Sequence, residues 1–169
     1  SGNVFEKNIM DLIKDKFGNS VVRIGNRNQA RSNIKFMETL HHINKGTPII
    51  YQGVLHDHSL KIYGIPDLIV RSDYINKIFE TPVISKLSQT LSSSMHKKWH
   101  YRIIEIKMSS LLLCADGVHL RNNKNIRPFK GQLYIYNKIL GGIQNFYPSK
   151  SYIIGKNWKY ISCGKYYHG

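Results

Sequence analysis

The sequence predicts an α/β protein, a central mixed sheet flanked by helices. Three observations carry that reading. Residues 4–17 and 130–143 repeat apolar side chains at helical spacing. Between them lie short apolar runs that alternate residue by residue, as strands do. A polar segment, His56–Ser59, joins two such runs as an antiparallel hairpin. Helices packed on a sheet bury the apolar surface of both.

In the first helix Phe5, Ile9, Leu12, Ile13 and Phe17 make the apolar face, and Gly18-Asn19 ends it. Glu6 falls on the side of Met10, Ile13 and Phe17. A first-turn glutamate is favoured by the helix dipole, yet an acid at the edge of an apolar face is unusual. Val21–Ile24 is a short strand or turn, and 25–28 a polar loop. A second helix is expected over Ser32–Asn44, with Ile34, Met37, Leu40 and His41 on one face and Gly46 and Pro48 marking its end. His41 and His42 are neighbours in sequence, so on a helix they diverge and do not share an ion.

Thr47–Leu55 and Leu60–Arg71 are the strands of the hairpin. Pro66 inside the second implies a bulge or an edge. His56, Asp57 and His58 read as its polar tip. Residues 72–100 form a long polar connection with a short helix near Ile75, Ile78 and Phe79, and a mobile stretch at Leu91–Ser94. Tyr101–Met108 is the central strand. On it Ile103, Glu105 and Lys107 share one face, and Arg102, Ile104, Ile106 and Met108 the other. Ser109–Leu113 leads into a loop, 116–128, that holds Arg121, Lys124 and Arg127. The last helix, 130–143, sets Leu133, Tyr136, Ile139, Leu140 and Ile143 inward and keeps Gln132 and Tyr136 on one side. Two short strands, Tyr152–Ile154 and Trp158–Cys163, and a frayed tail, Gly164–Gly169, complete the chain.

The totals narrow the partners. Lys and Arg number 25 against 10 Asp and Glu, a net charge of +15. Such an excess favours a polyanionic partner, nucleic acid before a membrane surface. No apolar run approaches the roughly 20 residues of a membrane span, and no secretory signal is visible. Cys114 and Cys163 form neither a disulfide framework nor a metal pattern, so an intracellular setting is expected. One domain, 1–169, is expected, whether free or excised from a longer protein.

Against that background two acids stand out. Glu105 lies among apolar neighbours on the central strand, where a lone carboxylate is costly to keep charged. Asp67 from a nearby strand and a divalent cation would balance the site, and oxygen ligands suit magnesium or manganese. Pro66-Asp67 followed by Glu105-Ile106-Lys107 resembles the PD-(D/E)XK nuclease superfamily. Gln132-Leu133-Tyr134-Ile135-Tyr136 is similar to the QxxxY element of its RecB-like branch. The resemblance covers most of the chain and implies a restriction-endonuclease-like core. It also implies hydrolysis of phosphodiester bonds, in DNA before RNA, with one or two Mg2+ or Mn2+ ions.

By the same resemblance Asp67, Glu105 and the Ile106 carbonyl hold metal, Glu6 completes the shell, and Lys107 orients the attacking water and offsets charge. Gln132 and Tyr136 support the site and contact the strand. Arg121, Lys124, Arg127 and Lys130 meet phosphates. A clear histidine before the Gly64…Asp67 element is missing, so Glu6 or His41 must stand in for it. A helicase or other replication partner, fused or associated, is implied, as is a location wherever nucleic acid is handled: cytoplasm, nucleus or a viral replication site. Two other readings share these features: a nucleic-acid-binding domain of the same fold that does not cut, and an RNA endonuclease.

Overall fold

A computed structural model describes all 169 residues. Helix α1 (Gly2–Phe17) leads through a single 3-10 turn into β1 (Val21–Arg23). A second 3-10 turn, Arg27–Gln29, is held by a reciprocal cap between Asn26 and Gln29. Helix α2 (Asn33–Lys45) begins at Ser32, whose side chain accepts from the Lys35 amide, and ends at Gly46 with φ 87°. Strands β2 (Ile49–Tyr51), β3 (Leu55–Asp57), β4 (Ile62–Gly64) and β5 (Leu68–Arg71) follow. After two short helices, α3 (Ile75–Ile78) and α4 (Lys86–Gln89), come β6 (Tyr101–Leu112), α5 (Arg127–Gln144), β7 (Tyr152–Ser162) and β8 (Lys165–His168). No helix is long and apolar enough to cross a membrane.

Six strands form one mixed sheet in the order β1-β2-β5-β6-β7-β8. Pairs β1–β2 and β6–β7 are parallel; β2–β5, β5–β6 and β7–β8 are antiparallel. Alternation along the central strands divides the core between the two faces. On one face Ile49, Tyr51, Leu68, Val70 and Ile104 pack against Met10 and Ile13 of α1. On the other, Ile50, Ile69 and Ile103 pack against Ile43 of α2 and Leu133, Tyr136, Ile139 and Leu140 of α5. Glu105, two residues beyond Ile103, therefore lies toward α5.

The expected hairpin is cut in two. β2 pairs with β5, but β3 and β4 leave to form a separate two-stranded sheet. The break is at Gln52-Gly53. Gln52 adopts φ 52°, a left-handed backbone that ends a strand. Gly53 sits where an added β-carbon would come within 2.9 Å of Ile69 Cδ1 and 3.2 Å of Thr39 Cγ2. Because of the break His56 is not at a polar tip. It is buried on β3, its ring stacked on Phe36 at 4.6 Å and its Nε2 2.7 Å from the Ala30 carbonyl.

Other expectations need correction. On α2 the inward residues are Phe36, Thr39 and Ile43, while Ile34 and Met37 are 74% and 56% exposed. His41 is exposed with them, and on α1 Leu12 also faces outward. α5 begins at Arg127 because Pro128 occupies the first turn, where no amide donor is needed. β6 runs on to Leu112 instead of stopping at Met108, and β7 is one strand, not two. Leu91–Ser94 is tied down: His100 Nδ1 lies 2.8 Å from the Leu91 carbonyl and Ser93 Oγ donates to Gln144 O at 3.0 Å. The tail is not frayed. Cys163 and Gly164 have φ 48° and 74°, the paired left-handed residues of a two-residue hairpin, and they return the chain as β8.

Candidate active site

The central antiparallel pair β5–β6 carries the site at one end. Leu68 pairs with Ile104, so Asp67 and Glu105 lie just beyond the last paired residues. Each carboxylate binds the other's strand. The Asp67 amide donates to Glu105 Oε1 at 2.9 Å, and the Ile106 amide donates to Asp67 Oδ2 at 2.8 Å. Strand N–H and C=O of one residue face the same edge, so the Ile106 carbonyl also faces Asp67. The Gln52 amide donates to the Asp67 carbonyl at 2.9 Å, which brings the β2 break to the same place.

Glu105 is buried and Asp67 is half-buried beside it. Burial, then the Asp67 charge and a side-chain hydrogen bond to Asp67, push Glu105 up to about 9. Burial also raises Asp67, against the hydrogen bonds from Glu105 and the Ile106 amide. Without a cation the pair therefore retains a proton near neutral pH.

Glu6 comes to this end of the sheet from α1, and its charge raises both Asp67 and Glu105. Its own oxygens are engaged. Oε2 takes Arg27 Nη2 at 2.6 Å; Oε1 takes the Tyr51 hydroxyl at 2.8 Å and Gln52 Nε2 at 3.3 Å. Burial first, then that bond to Glu6, raises the Tyr51 hydroxyl, and the Arg27 guanidinium is raised by its bond to Glu6. His41, on the exposed side of α2, pairs edge-to-face with His42 instead.

Tyr136 is buried and covers the site from α5. Its hydroxyl accepts from Gln132 Nε2 at 2.7 Å, one helical turn away. Burial and then the charge of Glu105 raise its pKa. The ring lies over Gly64: a β-carbon there would be 2.9 Å from Tyr136 Cδ1 and closer still to Cε1. Lys107, half-buried on the Glu105 face, holds its ammonium 4.3 Å from the centre of the Phe129 ring in the first turn of α5.

The basic residues divide. Arg121, Lys124 and Arg127 are exposed, and none of them joins an ion pair. Lys130 is tied inward, donating to Leu120 O and Asn122 Oδ1 at 2.7 Å each, so it braces the 113–126 loop.

No three His, Cys, Asp or Glu side chains converge as a ready-made metal shell. The donors present nonetheless suit a hard divalent ion: two crowded carboxylates, a backbone carbonyl, and the buried Gln52 Oε1, which has no hydrogen-bond partner. Sequence reasoning missed Arg27, Tyr51 and Gln52. Arg27 sat inside an apparent polar loop. The signal for Gln52 was a polar residue before glycine in the middle of an apolar run. Compared with protein-family models, curated proteins and solved structures, the chain gives no match.

Proposed function

We propose that the chain is a divalent-metal-dependent nuclease of the PD-(D/E)XK superfamily, RecB-like in its motifs, with a restriction-endonuclease-like core, hydrolysing phosphodiester bonds in DNA. The observation that carries the reading is the reciprocal lock of Asp67 and Glu105 at the end of β5–β6, with Lys107 on the same face of β6. A buried Glu105 with a half-buried Asp67 beside it is unfavourable without a cation. Asp67, Glu105 and the Ile106 carbonyl would hold Mg2+ or Mn2+, with Gln52 Oε1 as a neighbouring acceptor. Bound there, the ion would supply a nucleophile at neutral pH and neutralise charge on the phosphate.

The protein's own groups do the rest. Lys107, on the Glu105 face of β6, would orient a water and offset charge on the reacting phosphate once its ammonium leaves the Phe129 ring. Gln132 fixes the Tyr136 hydroxyl, and Tyr136 sits on the α5 side near enough to the carboxylate pair to feel both charges. Glu6, clamped by Arg27, Tyr51 and Gln52, sets the negative field behind the pair. Arg121, Lys124 and Arg127 offer phosphate contacts without giving up any ion pair.

The test is a cleavage time course on single-stranded DNA, duplex DNA and RNA, with Mg2+, with Mn2+ and with EDTA. Glu105→Ala should abolish cleavage and weaken Mn2+ uptake in titration calorimetry. Lys107→Ala should lower the rate by about 10²–10⁴-fold and leave Mn2+ uptake intact. Normal cutting by Lys107→Ala would defeat the proposal. Cleavage of RNA alone would move the substrate from DNA to RNA.

A further inference from the structure

The ribbon formed by β7 and β8 carries a second feature, apart from the carboxylates. Trp158 and Tyr160 on β7 and Tyr167 on β8 make one row of stacked rings. Ring centres are 5.8 Å apart for Trp158–Tyr160 and 4.8 Å for Tyr160–Tyr167, with interplanar angles of 26° and 9°. The pairing explains the row: Tyr160 lies directly opposite Tyr167, and Trp158 is two residues along on the same face. These rings belong to neither core cluster. Trp158 and Tyr167 are each 40% exposed, and every residue of β8 is exposed. Tyr160, the middle ring, rests against Gly117 of the 113–126 loop, while Trp158 and Tyr167 keep large aromatic surface in water.

Cations surround the row. By alternation Lys156 and Lys165 share its face, and Lys159 with His168 lies on the reverse; all three lysines are exposed and none is in an ion pair. No Asp or Glu occurs anywhere after Asp116. The ribbon is also continuous with the candidate site. β7 pairs with β6, which bears Glu105 and Lys107, and Trp158 stands opposite Leu111. Six residues of strand, including the register shift between Lys107 and Ser110, separate Leu111 from Glu105, at most about 20 Å at the usual rise.

We infer that this ribbon is a stacking platform for single-stranded nucleic acid and leads one strand toward the carboxylate pair. The inference rests on the nuclease reading for its destination, not for its binding. Flat aromatic rings accept unpaired bases of any identity, while flanking lysines hold the phosphates between them. A duplex keeps its base faces stacked inside and offers nothing to the rings. A second copy of this chain carries the same uncompensated lysines, so ribbon-to-ribbon pairing brings like charges together, and a lysine-bearing edge strand resists pairing.

The experiment measures fluorescence anisotropy of labelled 15-nucleotide oligothymidylate, the matching oligouridylate and a DNA duplex, all in EDTA so that no cleavage is required. Trp158→Ala and Tyr167→Ala should each weaken single-strand affinity roughly 5- to 100-fold, for both sugars, and leave duplex affinity nearly unchanged. Trp158→Phe should recover most of the loss. In a Trp99→Phe chain the remaining indole, Trp158, should be quenched as oligothymidylate binds. Lys156→Glu with Lys165→Glu leaves the rings and the core untouched, so it tests the platform even where an alanine variant folds poorly. It should reduce the salt slope by about 0.7 for each single-strand phosphate that is no longer neutralised. Single-strand affinity unchanged in the alanine variants overturns the inference. So does a light-scattering mass that doubles in wild type and halves in Trp158→Ala with no change in oligonucleotide binding. Binding that follows these expectations without any metal-dependent cleavage would sustain the platform and refute the nuclease.

Discussion

Proton and metal should compete at Asp67 and Glu105, and the competition should appear in stability before any substrate is added. The perturbation is pH, in EDTA and in excess Mn2+. Folding raises Glu105 from 4.5 to about 9, so the folded chain binds this proton more tightly than the unfolded chain. The stability it contributes is complete below 4.5 and is lost as pH climbs toward 9. Inside that window the loss is about 1.4 kcal/mol per pH unit. Histidines act oppositely but earlier. Burial lowers His100 to about 4 and also lowers His42, so both favour folding as pH rises and are spent by pH 7. Between pH 7 and 8.5 the coupled carboxyls should contribute a loss of about 2 kcal/mol. For a chain of this size that lowers Tm by about 4–8 °C. Mn2+ should displace the proton, flatten the decline and raise Tm more at pH 8.5 than at pH 7. Differential scanning calorimetry of wild type and Glu105→Gln checks this, because the amide has no proton to lose. Parallel Tm–pH lines with and without Mn2+, or the same slope in Glu105→Gln, would refute the reasoning.

Gly64→Ala forces a β-carbon into the Tyr136 ring; overpacking of this kind costs about 1–3 kcal/mol, read by urea unfolding, and cleavage should fall with it because Tyr136 lies within reach of the Glu105 charge. Gln144→Ala removes the amide that donates to the Tyr101 carbonyl at 2.9 Å and accepts from its amide at 2.7 Å. Leaving those strand groups unpaired should cost about 1–3 kcal/mol, by heat or by denaturant, with Mn2+ affinity unaltered. Charge reversal at Arg121, Lys124 and Arg127 should reduce the dependence of duplex binding on salt by about 0.9 in log–log slope for each phosphate released; an unchanged slope would exclude that loop from the interface.

How much was legible in the sequence depends on the kind of signal each residue leaves. α1, α2, α5 and the strand from Tyr101 follow from apolar spacing, because burial imposes a period on the side chains. The pair Asp67 and Glu105 was legible as two acids in apolar runs, and the structure brings them together. Periodicity does not reveal where a backbone turns against its neighbours. The Gln52-Gly53 break depends on Thr39 and Ile69 crowding Gly53, a contact between distant residues. Cys163-Gly164 turns the chain with two left-handed residues although cysteine rarely adopts that state. Arg27 was hidden for the opposite reason: an exposed side chain carries no period, and only the fold delivers it to Glu6. The outward Ile34 and Met37 mark the limit of assigning a helix face from hydrophobicity alone.

The register shift between Lys107 and Ser110 on β6 divides one long strand into two parts. Before it, Tyr101–Ile104 pair with β5 and Ile104–Lys107 with β7, and Ile103 packs against the side chains of α5. After it, the strand belongs to a three-stranded blade of β6, β7 and β8 whose outermost strand is exposed. Hydrogen exchange should therefore step upward within a single element, slow at Ile103–Ile106 and fast from Ser110 onward.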